Sequence, residues 1–436
     1  MLRRLNHAIV ASLFVIVTVG SAHAIEIQEV TSEGGITAWL VSDDTVPVVA
    51  VDVAFEGAGS AQDPDGKAGR ANIMAALLDE GAGDFDSVAF QTALQDSAVR
   101  LSFEASRDHL YGDMRALSSS VEKGFLLMRL ALLEPRFDVD ALTRIRAQVT
   151  TGLRRELNDP DTVAARLWSR TAFPDHPYGI PSAGTLESVA ALTRDDMIAA
   201  HKDVISKDNL IISVVGDISA EALKPLLDKA FAELPETATL TPVQPVEPAA
   251  GLTVTETLET PQTSIRFGGP GLMREDPDFI PAFVMNHILG GGVFSSWLFE
   301  EVREKRGLAY SVYSYMAPLD YSAVFGAGTA TRNDQADQAV EVILSQFQKM
   351  ATEGPTDKEL TDAKAYLTGA YALRFGSSSS IARQLLFLQL EDLGMDYIEN
   401  RNGLIEAVTL EDVRRAAQRI FGNGTPTVAI VGAGEG

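Results

Sequence analysis

Cysteine is absent from this 436-residue chain, and its absence excludes several kinds of chemistry at once. Disulfides, thiol nucleophiles, thiolate zinc sites and iron–sulfur clusters all need cysteine. Basic residues are also scarce, because 36 lysines and arginines stand against 60 aspartates and glutamates, which gives a formal net charge of −24. Phosphate binding needs a basic face, so we expect neither nucleic acid nor an anionic membrane surface as a partner.

Long apolar runs are also missing, except near the N-terminus. Two arginines precede an apolar run over residues 8–20, and an A-x-A cleavage pattern then ends at Ala24. This order predicts a secretory signal peptide over residues 1–24. A membrane anchor is the less favoured alternative, because the run is shorter than the roughly 20 residues that a spanning helix needs. We expect a mature chain that starts near Ile25, has no membrane span and is exported to a Gram-negative periplasm.

The remaining sequence is typical of a globular protein in which strands and helices alternate. With 46% hydrophobic and 22% charged residues it has ample material for large cores, and its length favours two domains. Residues 46–55 alternate as in a half-buried strand, whereas the apolar side chains of residues 71–78 have helical spacing. A second helical pattern over residues 142–153 should end before Pro160. This alternation predicts an α/β fold.

A proline-rich segment divides the chain near its middle. Four prolines lie between residues 235 and 248, a density that neither a central helix nor a central strand tolerates. We interpret residues 235–252 as a semi-extended linker between the domains. A long surface loop inside a single domain is the alternative.

A short internal repeat favours the linker. LTRDDM at residues 192–197 recurs as VTLEDV at residues 408–413, and VVG, which ends at Gly216, recurs as IVG, which ends at Gly432. Both pairs are offset by 216 positions, so each part of the chain should end with the same helix followed by the same strand. The repeat predicts two homologous domains, the first half over residues 25–234 and the second half over residues 253–436.

Two further motifs are interpreted as local structure. The run Gly290–Gly292 lacks the Gly-Lys-Ser/Thr continuation of a phosphate loop, and we expect a helix-to-helix turn in which Ser295 or Ser296 caps the next helix. Residues 377–380 are all serine and precede Ile381, which is typical of a helix N-terminus.

Three segments together resemble the insulinase/pitrilysin metallopeptidases, of which mitochondrial processing peptidase is a relative of similar size. They are GSAQDPDGKAGRANIMAALLDEG at residues 59–81, the HPYG…GT…LT..D stretch around His176, Gly184 and Asp196, and LGGGVFSSWLFEEVREKRGLAYSVYSY at residues 289–315. The resemblance covers essentially the whole mature chain. It implies two homologous halves, each an antiparallel-rich sheet packed with helices, that enclose a chamber in which peptides are cut by zinc.

The zinc ligands of active members of that family are replaced here. Those members carry H-x-x-E-H on the first core helix, where two imidazoles hold Zn²⁺ and the glutamate activates its water. The matching residues are Asn72 and Ala76 at the histidine positions and Ala75 at the glutamate position. The later carboxylate ligand is missing from residues 149–152, and we interpret the nearby Glu156 as a solvated helix residue. The resemblance therefore implies a degenerate zinc site, and we expect this chain to bind no metal and no other cofactor.

The histidines offer no substitute zinc site. Two of the six leave with the signal peptide, and no two of the others are spaced to share a metal from one element; the six are His7, His23, His109, His176, His201 and His287. Catalytic zinc sites use three protein ligands. We interpret His176 and His201 as structural histidines.

The resemblance also implies a substrate-contacting pair in the second half. Arg303 and Tyr310 match the Arg/Tyr pair that the family places opposite the zinc, where it contacts the substrate backbone and helps to stabilise the oxyanion. A guanidinium and a phenol are suitable donors for that task. From the residue pattern alone, Arg303 would be a charge on a helix face and Tyr310 the first aromatic residue of a strand.

Three functions follow as hypotheses. The first is a non-catalytic subunit of a periplasmic zinc endopeptidase, which pairs with a related H-x-x-E-H-bearing chain that holds the zinc and lends Arg303 and Tyr310 to bound peptides. The second is a self-sufficient metallopeptidase with an unrecognised site. The third is a scaffold or binding protein that has lost proteolysis.

Overall fold

A computed structural model of the protein describes residues 25–422 and 424–433, apart from the side chain of Val293. The predicted signal peptide lies outside the described residues. The strands are β1 (Gln28–Thr31), β2 (Thr37–Ser42), β3 (Val48–Phe55), β4 (Arg100–Ala105), β5 (Leu110–Leu117), β6 (Leu210–Gly216), β7 (Thr253–Thr257), β8 (Gln262–Pro270), β9 (Ala309–Leu319), β10 (Ser322–Arg332) and β11 (Thr427–Gly432). The α-helices are α1 (Arg70–Ala75), α2 (Ser87–Asp96), α3 (Val121–Leu133), α4 (Val139–Glu156), α5 (Pro160–Ala172), α6 (Leu186–Ala191), α7 (Arg194–Val204), α8 (Ala220–Phe231), α9 (Phe279–Asn286), α10 (Ala336–Thr352), α11 (Asp357–Gly369), α12 (Ser378–Leu390), α13 (Tyr397–Ala407) and α14 (Leu410–Phe421).

The strands form two separate sheets, one from each half of the chain. The first sheet has the order β1-β2-β6-β3-β5-β4, and the second has the order β7-β11-β8-β10-β9. Among the described strands, only the pairs β2/β6 and β7/β11 are parallel. Each sheet packs one face against helices of its own half around a large apolar core. Two halves with antiparallel-rich sheets and packed helices confirm the predicted fold class.

The internal repeat corresponds to a repeated helix–strand unit. Helix α7 begins after Thr193 and α14 begins after Thr409, and each threonine forms a capping box with the aspartate three residues later. Each of these helices is followed by a strand, β6 or β11, that lies inside its sheet. The cap satisfies backbone N–H groups of the first turn, so the T-x-x-D pattern fixes the start of the same helix in both halves.

Each half also covers the second face of the other half's sheet with one helix. Helix α5 of the first half packs on β8 and β11, where Trp168 joins Val324 and Val431 in one apolar cluster. Helix α12 of the second half packs on β3 and β6, where Leu385 joins Val215. Each half therefore helps to bury the second face of the other half's sheet, so these two helices hold the halves together.

The proline-rich segment is bonded to both halves. Residues 235–252, all within the described part of the chain, form neither helix nor strand. The amide of Ala249 donates to the carbonyl of Ala172 at 2.8 Å, and the amide of Val246 donates to the carbonyl of Tyr321 at 2.9 Å. The segment therefore runs along the contact between the halves. The limits of the two domains, residues 25–234 and 253–436, remain a prediction.

No described helix is both long enough and apolar enough to cross a membrane.

Candidate functional site

Helix α1 begins beside an aspartate whose buried side chain accepts hydrogen bonds from backbone N–H groups at the start of the helix. The carboxylate of Asp63 accepts from the amides of Gly69 and Ala71, each at 2.8 Å. Burial raises the pKa of Asp63 to about 6 in spite of these bonds. The predicted helix over residues 71–78 was too long, because α1 ends at Ala75. Beyond that point the backbone amides bond three residues back, which tightens the chain into turns.

The positions that match the zinc ligands carry no metal donor of the required kind. Asn72 and Ala76 lie one turn apart and are half-buried, and Ala75 is only 1% exposed. Helix α4 packs on α1, and a side chain built at Gly152 of α4 would meet no atom of the described residues within 4 Å. One amide, two methyl groups and an empty position do not fit zinc. Within the described ranges, no group of three or more histidine, aspartate or glutamate residues could hold a metal ion.

Glu156 is the last residue of α4 and makes one contact beyond its interpretation as a solvated helix residue. Its carboxylate forms an ion pair with Arg166 on α5 and is only partly exposed. Because α5 covers the second sheet, this ion pair ties the end of α4 to the helix that joins the halves.

The four histidines within the described residues lie apart from one another and contact backbone groups or aromatic rings. His176 and His201 each bond to backbone groups, as expected of structural histidines. The contacts are Nδ1 of His109 with the amide of Gly57 at 3.3 Å, Nδ1 of His176 with the amide of Tyr178 at 3.1 Å, Nε2 of His201 with the carbonyl of Leu132 at 2.7 Å, and the ring of His287 stacked on Tyr366 with centroids 4.9 Å apart.

Arg303 lies on an unusual helical segment of the second half. Helix α9 continues as a π-helical turn, His287–Gly291, and the glycine run then leads into a second helical stretch, as predicted. Ser296 caps that stretch, since its Oγ accepts from the amide of Phe299 at 3.4 Å. Arg303 sits in the π-helical part of it, Phe299–Glu304. Such wide turns frequently occur at functional sites.

Tyr310 is brought next to Arg303 by a tight turn and an irregular strand. Gly307 has a φ of +60°, which favours glycine, and its amide donates to the carbonyl of Arg303 at 2.9 Å. Strand β9 then starts with a register shift against β10, between the partners of Ala309 and Val312. A shift of this kind re-aims the side chains beside it, and Tyr310 is 81% exposed.

The structure therefore places the two predicted site residues in direct contact. The guanidinium carbon of Arg303 lies 4.5 Å from the ring centroid of Tyr310 and 4.8 Å from that of Phe299. The ion pair of Arg303 with the adjacent Glu304 is long, with 3.8 Å between Nε and Oε1. The guanidinium therefore lies against two aromatic rings, and such cation–π contacts restrict the orientation of its planar group of N–H donors.

The tyrosine row that continues along β9 was missed by sequence reasoning. Tyr313 and Tyr315 stack with centroids 6.2 Å apart, and the guanidinium of Arg266 hydrogen-bonds the hydroxyl of Tyr313. The neighbouring strand β10 has Gly326 and Gly328 beneath these rings, where a Cβ would collide with them. The signal was present as Y-x-x-Y-x-Y in β9 and G-x-G in β10, but only the strand register shows that the two motifs face each other.

The other end of β9 is anchored to the first half by buried polar groups. The hydroxyl of Tyr178 donates to Asp108 at 2.6 Å and accepts from the amide of Tyr321 at 3.1 Å. Asp320 lies 3.5 Å from Nε2 of His109. Burial and then the charge of Asp108 raise the pKa of Asp320 to about 7, whereas burial lowers the pKa of His109. The strand that carries Tyr310 is thus held at its far end by contacts between the halves.

Comparison with known proteins gives consistent matches. The family model described as "Peptidase M16 inactive domain" matches residues 191–367. A Helicobacter pylori protein named non-peptidase homolog YmxG is 27% identical over 339 residues, which cover 77% of each chain. A Bacillus subtilis protein named uncharacterized zinc protease YmxG is 26% identical over 400 residues, which cover 91% of this chain and 96% of that protein. The crystal structure of a peptidase M16 inactive domain from Pseudomonas fluorescens superimposes with a TM-score of 0.88 at 28% identity, covering 94% of this chain and 98% of the other.

Proposed function

Because this chain belongs to the peptidase M16 family, whose zinc ligands it lacks, we propose that it is the non-catalytic subunit of a periplasmic zinc endopeptidase. In this proposal a related subunit carries H-x-x-E-H and holds the zinc. This chain contributes the surface that binds and positions the peptide. The resemblance to a protein named as a non-peptidase homolog supports the absence of independent proteolysis.

The observation that carries the proposal is the contact between Arg303 and Tyr310. An aromatic ring that serves only packing is normally buried, whereas Tyr310 is 81% exposed. Its ring is nevertheless held in place by the guanidinium 4.5 Å away. A rigid, exposed phenol beside a permanent cation is suited to donate hydrogen bonds to a peptide carbonyl or to the negative oxygen that develops when that carbonyl is attacked.

The donors act on the substrate, and the partner supplies the metal chemistry. The guanidinium of Arg303 offers a planar fork of N–H donors, so it can hold a peptide oxygen without any proton transfer. The hydroxyl of Tyr310 adds a second kind of donor beside it. The net charge of −24 favours the approach of basic or neutral peptides over acidic ones, which is a bias in encounter and not a sequence specificity.

Co-expression with the H-x-x-E-H-bearing family members of the same genome tests the proposal. We expect one of them to co-purify with this chain and the pair to cut fluorogenic peptides, while each chain alone has little activity. Replacement of the glutamate in the partner's motif by glutamine is the control and should abolish cleavage. A partner that reaches the same rate alone, or the absence of any complex, would leave the scaffold function as the better account.

A further inference from the structure

A cavity of the second half is lined by three arginines, and no carboxylate of the described residues lines it. It has a volume of about 230 Å³ and lies among α9, α12, α13 and the 3₁₀ segment Ala370–Phe375. Its polar lining residues are Arg274, Tyr371, Arg374, Gln384, Tyr397 and Arg401. None of them belongs to the Arg303–Tyr310 pair or to the matched zinc positions. In a chain of net charge −24, a cavity with excess positive charge is unexpected.

Arg401 is a buried cation without a carboxylate partner. It is 7% exposed and forms no ion pair with any described residue. Its Nη1 donates to the carbonyl of Leu367 and to Oδ1 of Asn402, each at 3.2 Å, and its other nitrogens donate to no atom of the described residues. Burial lowers its pKa, and the charge of Arg374 lowers it further. An arginine in this state is stabilised when an anion reaches it.

The residues around Arg401 provide further donors for an anion. Its guanidinium lies 4.1 Å from the ring centroid of Tyr371, whose buried hydroxyl has no hydrogen-bond partner among the described residues. Arg374 lacks an ion pair within the described part of the chain. Arg274 is already matched, because its Nε donates to Glu391 at 2.9 Å. Two unpaired guanidinium groups and one unpaired hydroxyl donor therefore line the same cavity.

We propose that this cavity binds a small oxyanion, a phosphate or a carboxylate, between Arg374 and Arg401, with the hydroxyl of Tyr371 as a third donor. The volume is below that of pockets for drug-sized ligands, so the ligand is a small ion or a short organic acid. Phe279, Ile280, Phe283 and Phe387 complete the lining. Their side chains provide an apolar wall for the organic part of such an acid.

Calorimetric titration of the purified chain with inorganic phosphate and, separately, with phenylacetate tests this site. Binding of phosphate alone identifies a free ion as the ligand, and preferential binding of phenylacetate identifies an organic acid. Tyr371→Phe and Arg374→Gln should each weaken binding about tenfold, since each removes a donor to a charged group. Arg332→Gln is the matched control, because Arg332 is an exposed arginine paired with Asp334, and it should bind like the parent chain.

The Tyr371→Phe variant separates binding from folding. Its hydroxyl has no partner in the described structure, so the substitution should leave the thermal midpoint unchanged or slightly raised. The proposal is overturned if neither probe binds at a concentration of about 10 mM, which is tenfold above a weak dissociation constant of about 1 mM. It is equally overturned if both variants bind as tightly as the parent. These outcomes do not depend on whether the chain joins a zinc-bearing partner.

Discussion

The two halves of this protein share a framework but differ at the positions that the family resemblance relates to peptide cleavage. In the first half, helix α1 is anchored by Asp63 and packs against α4, yet it presents Asn72 and Ala76 where a zinc site would need imidazoles. In the second half, a π-helical segment and an irregular strand bring Arg303 onto the exposed ring of Tyr310. The difference shows that the packing of α1 does not depend on zinc ligands, whereas the contact between Arg303 and Tyr310 depends on the local geometry of the second half.

The largest expected effect concerns metal binding by α1. The parent chain should carry no stoichiometric zinc, and the triple variant Asn72→His, Ala75→Glu, Ala76→His should carry none either, because the third ligand is still missing. Adding Gly152→Glu places a carboxylate on α4, the helix that packs on α1. A side chain at this position meets no other atom of the described residues within 4 Å. Elemental analysis should then find about one zinc per chain.

Two results would contradict this account of the first half. Stoichiometric zinc in the parent or triple variant would show that another ligand set exists. A folded fourfold variant that stays free of zinc would show that α1 and α4 hold these positions in the wrong geometry. The thermal midpoint of each variant serves as the control for folding.

A smaller but still large effect on stability is expected at α5, the helix with which the first half covers the sheet of the second half. Trp168 of α5 rests on Gly268 of the second sheet and is buried, so Trp168→Ala should cost about 3–5 kcal/mol of the free energy of unfolding. Because Ala249 bonds to the last residue of α5, loosening of that helix should also expose residues 235–252 to protease.

Trp297→Ala is the matched control for that variant. Trp297 is similarly buried but lies in the core of the second half alone. It should lose comparable stability in chemical unfolding without faster cutting at residues 235–252. Equal cutting of both variants would mean that α5 does not hold the segment.

The smallest effect concerns pH and the anchor between the halves. Asp320 has a pKa of about 7 when folded, well above the value of about 3.9 for an unfolded chain. The folded state therefore binds this proton more tightly, and its contribution to stability is full below about pH 4 and is lost as the pH rises through 7. Asp320→Asn, which stays neutral, should gain in thermal midpoint relative to the parent between pH 5 and pH 8, by the equivalent of about 1 kcal/mol after allowance for solvent screening.

The exposed Asp334 provides the control for the pH series, and Asp334→Asn should show no such gain. An Asp320→Asn midpoint that follows the parent at every pH would show that the carboxyl is ionised throughout. His109, the neighbour at 3.5 Å, has a lowered pKa and is expected to be neutral over most of this range.

The sequence predicted the helices and strands better than it predicted the contacts between the two halves. The T-x-x-D caps and the 216-residue offset located α7, α14 and the strands after them, because capping and hydrophobic spacing act within a few residues of each other. The exchange of α5 and α12 was not predictable, since an amphipathic pattern does not tell which sheet a helix covers. Helix α1 was predicted too long because its apolar residues continue through turns that are just as buried.

The candidate site shows the same division. The pairing of Arg303 with Tyr310 came from the resemblance to a family, not from their seven-residue spacing, because Gly307 and the strand irregularity lie between them. The anchor formed by Tyr178, Asp108 and the β9–β10 turn joins residues far apart in the chain. Nothing local marks such contacts.

Peptide cleavage by the mixed complex is the measurement that tests the central claim most directly. Tyr310→Phe keeps the ring but removes its donor, and Arg303→Ala removes the guanidinium, so turnover should fall about a hundredfold, or about 3 kcal/mol, in each variant. Assembly and thermal midpoint should stay unchanged, because the phenol of Tyr310 is exposed. Tyr366→Phe, at another exposed tyrosine, should cut at the parent rate. If both site variants assemble and cut peptides at the parent rate, the pair does not act on the substrate and the shared-site account is wrong.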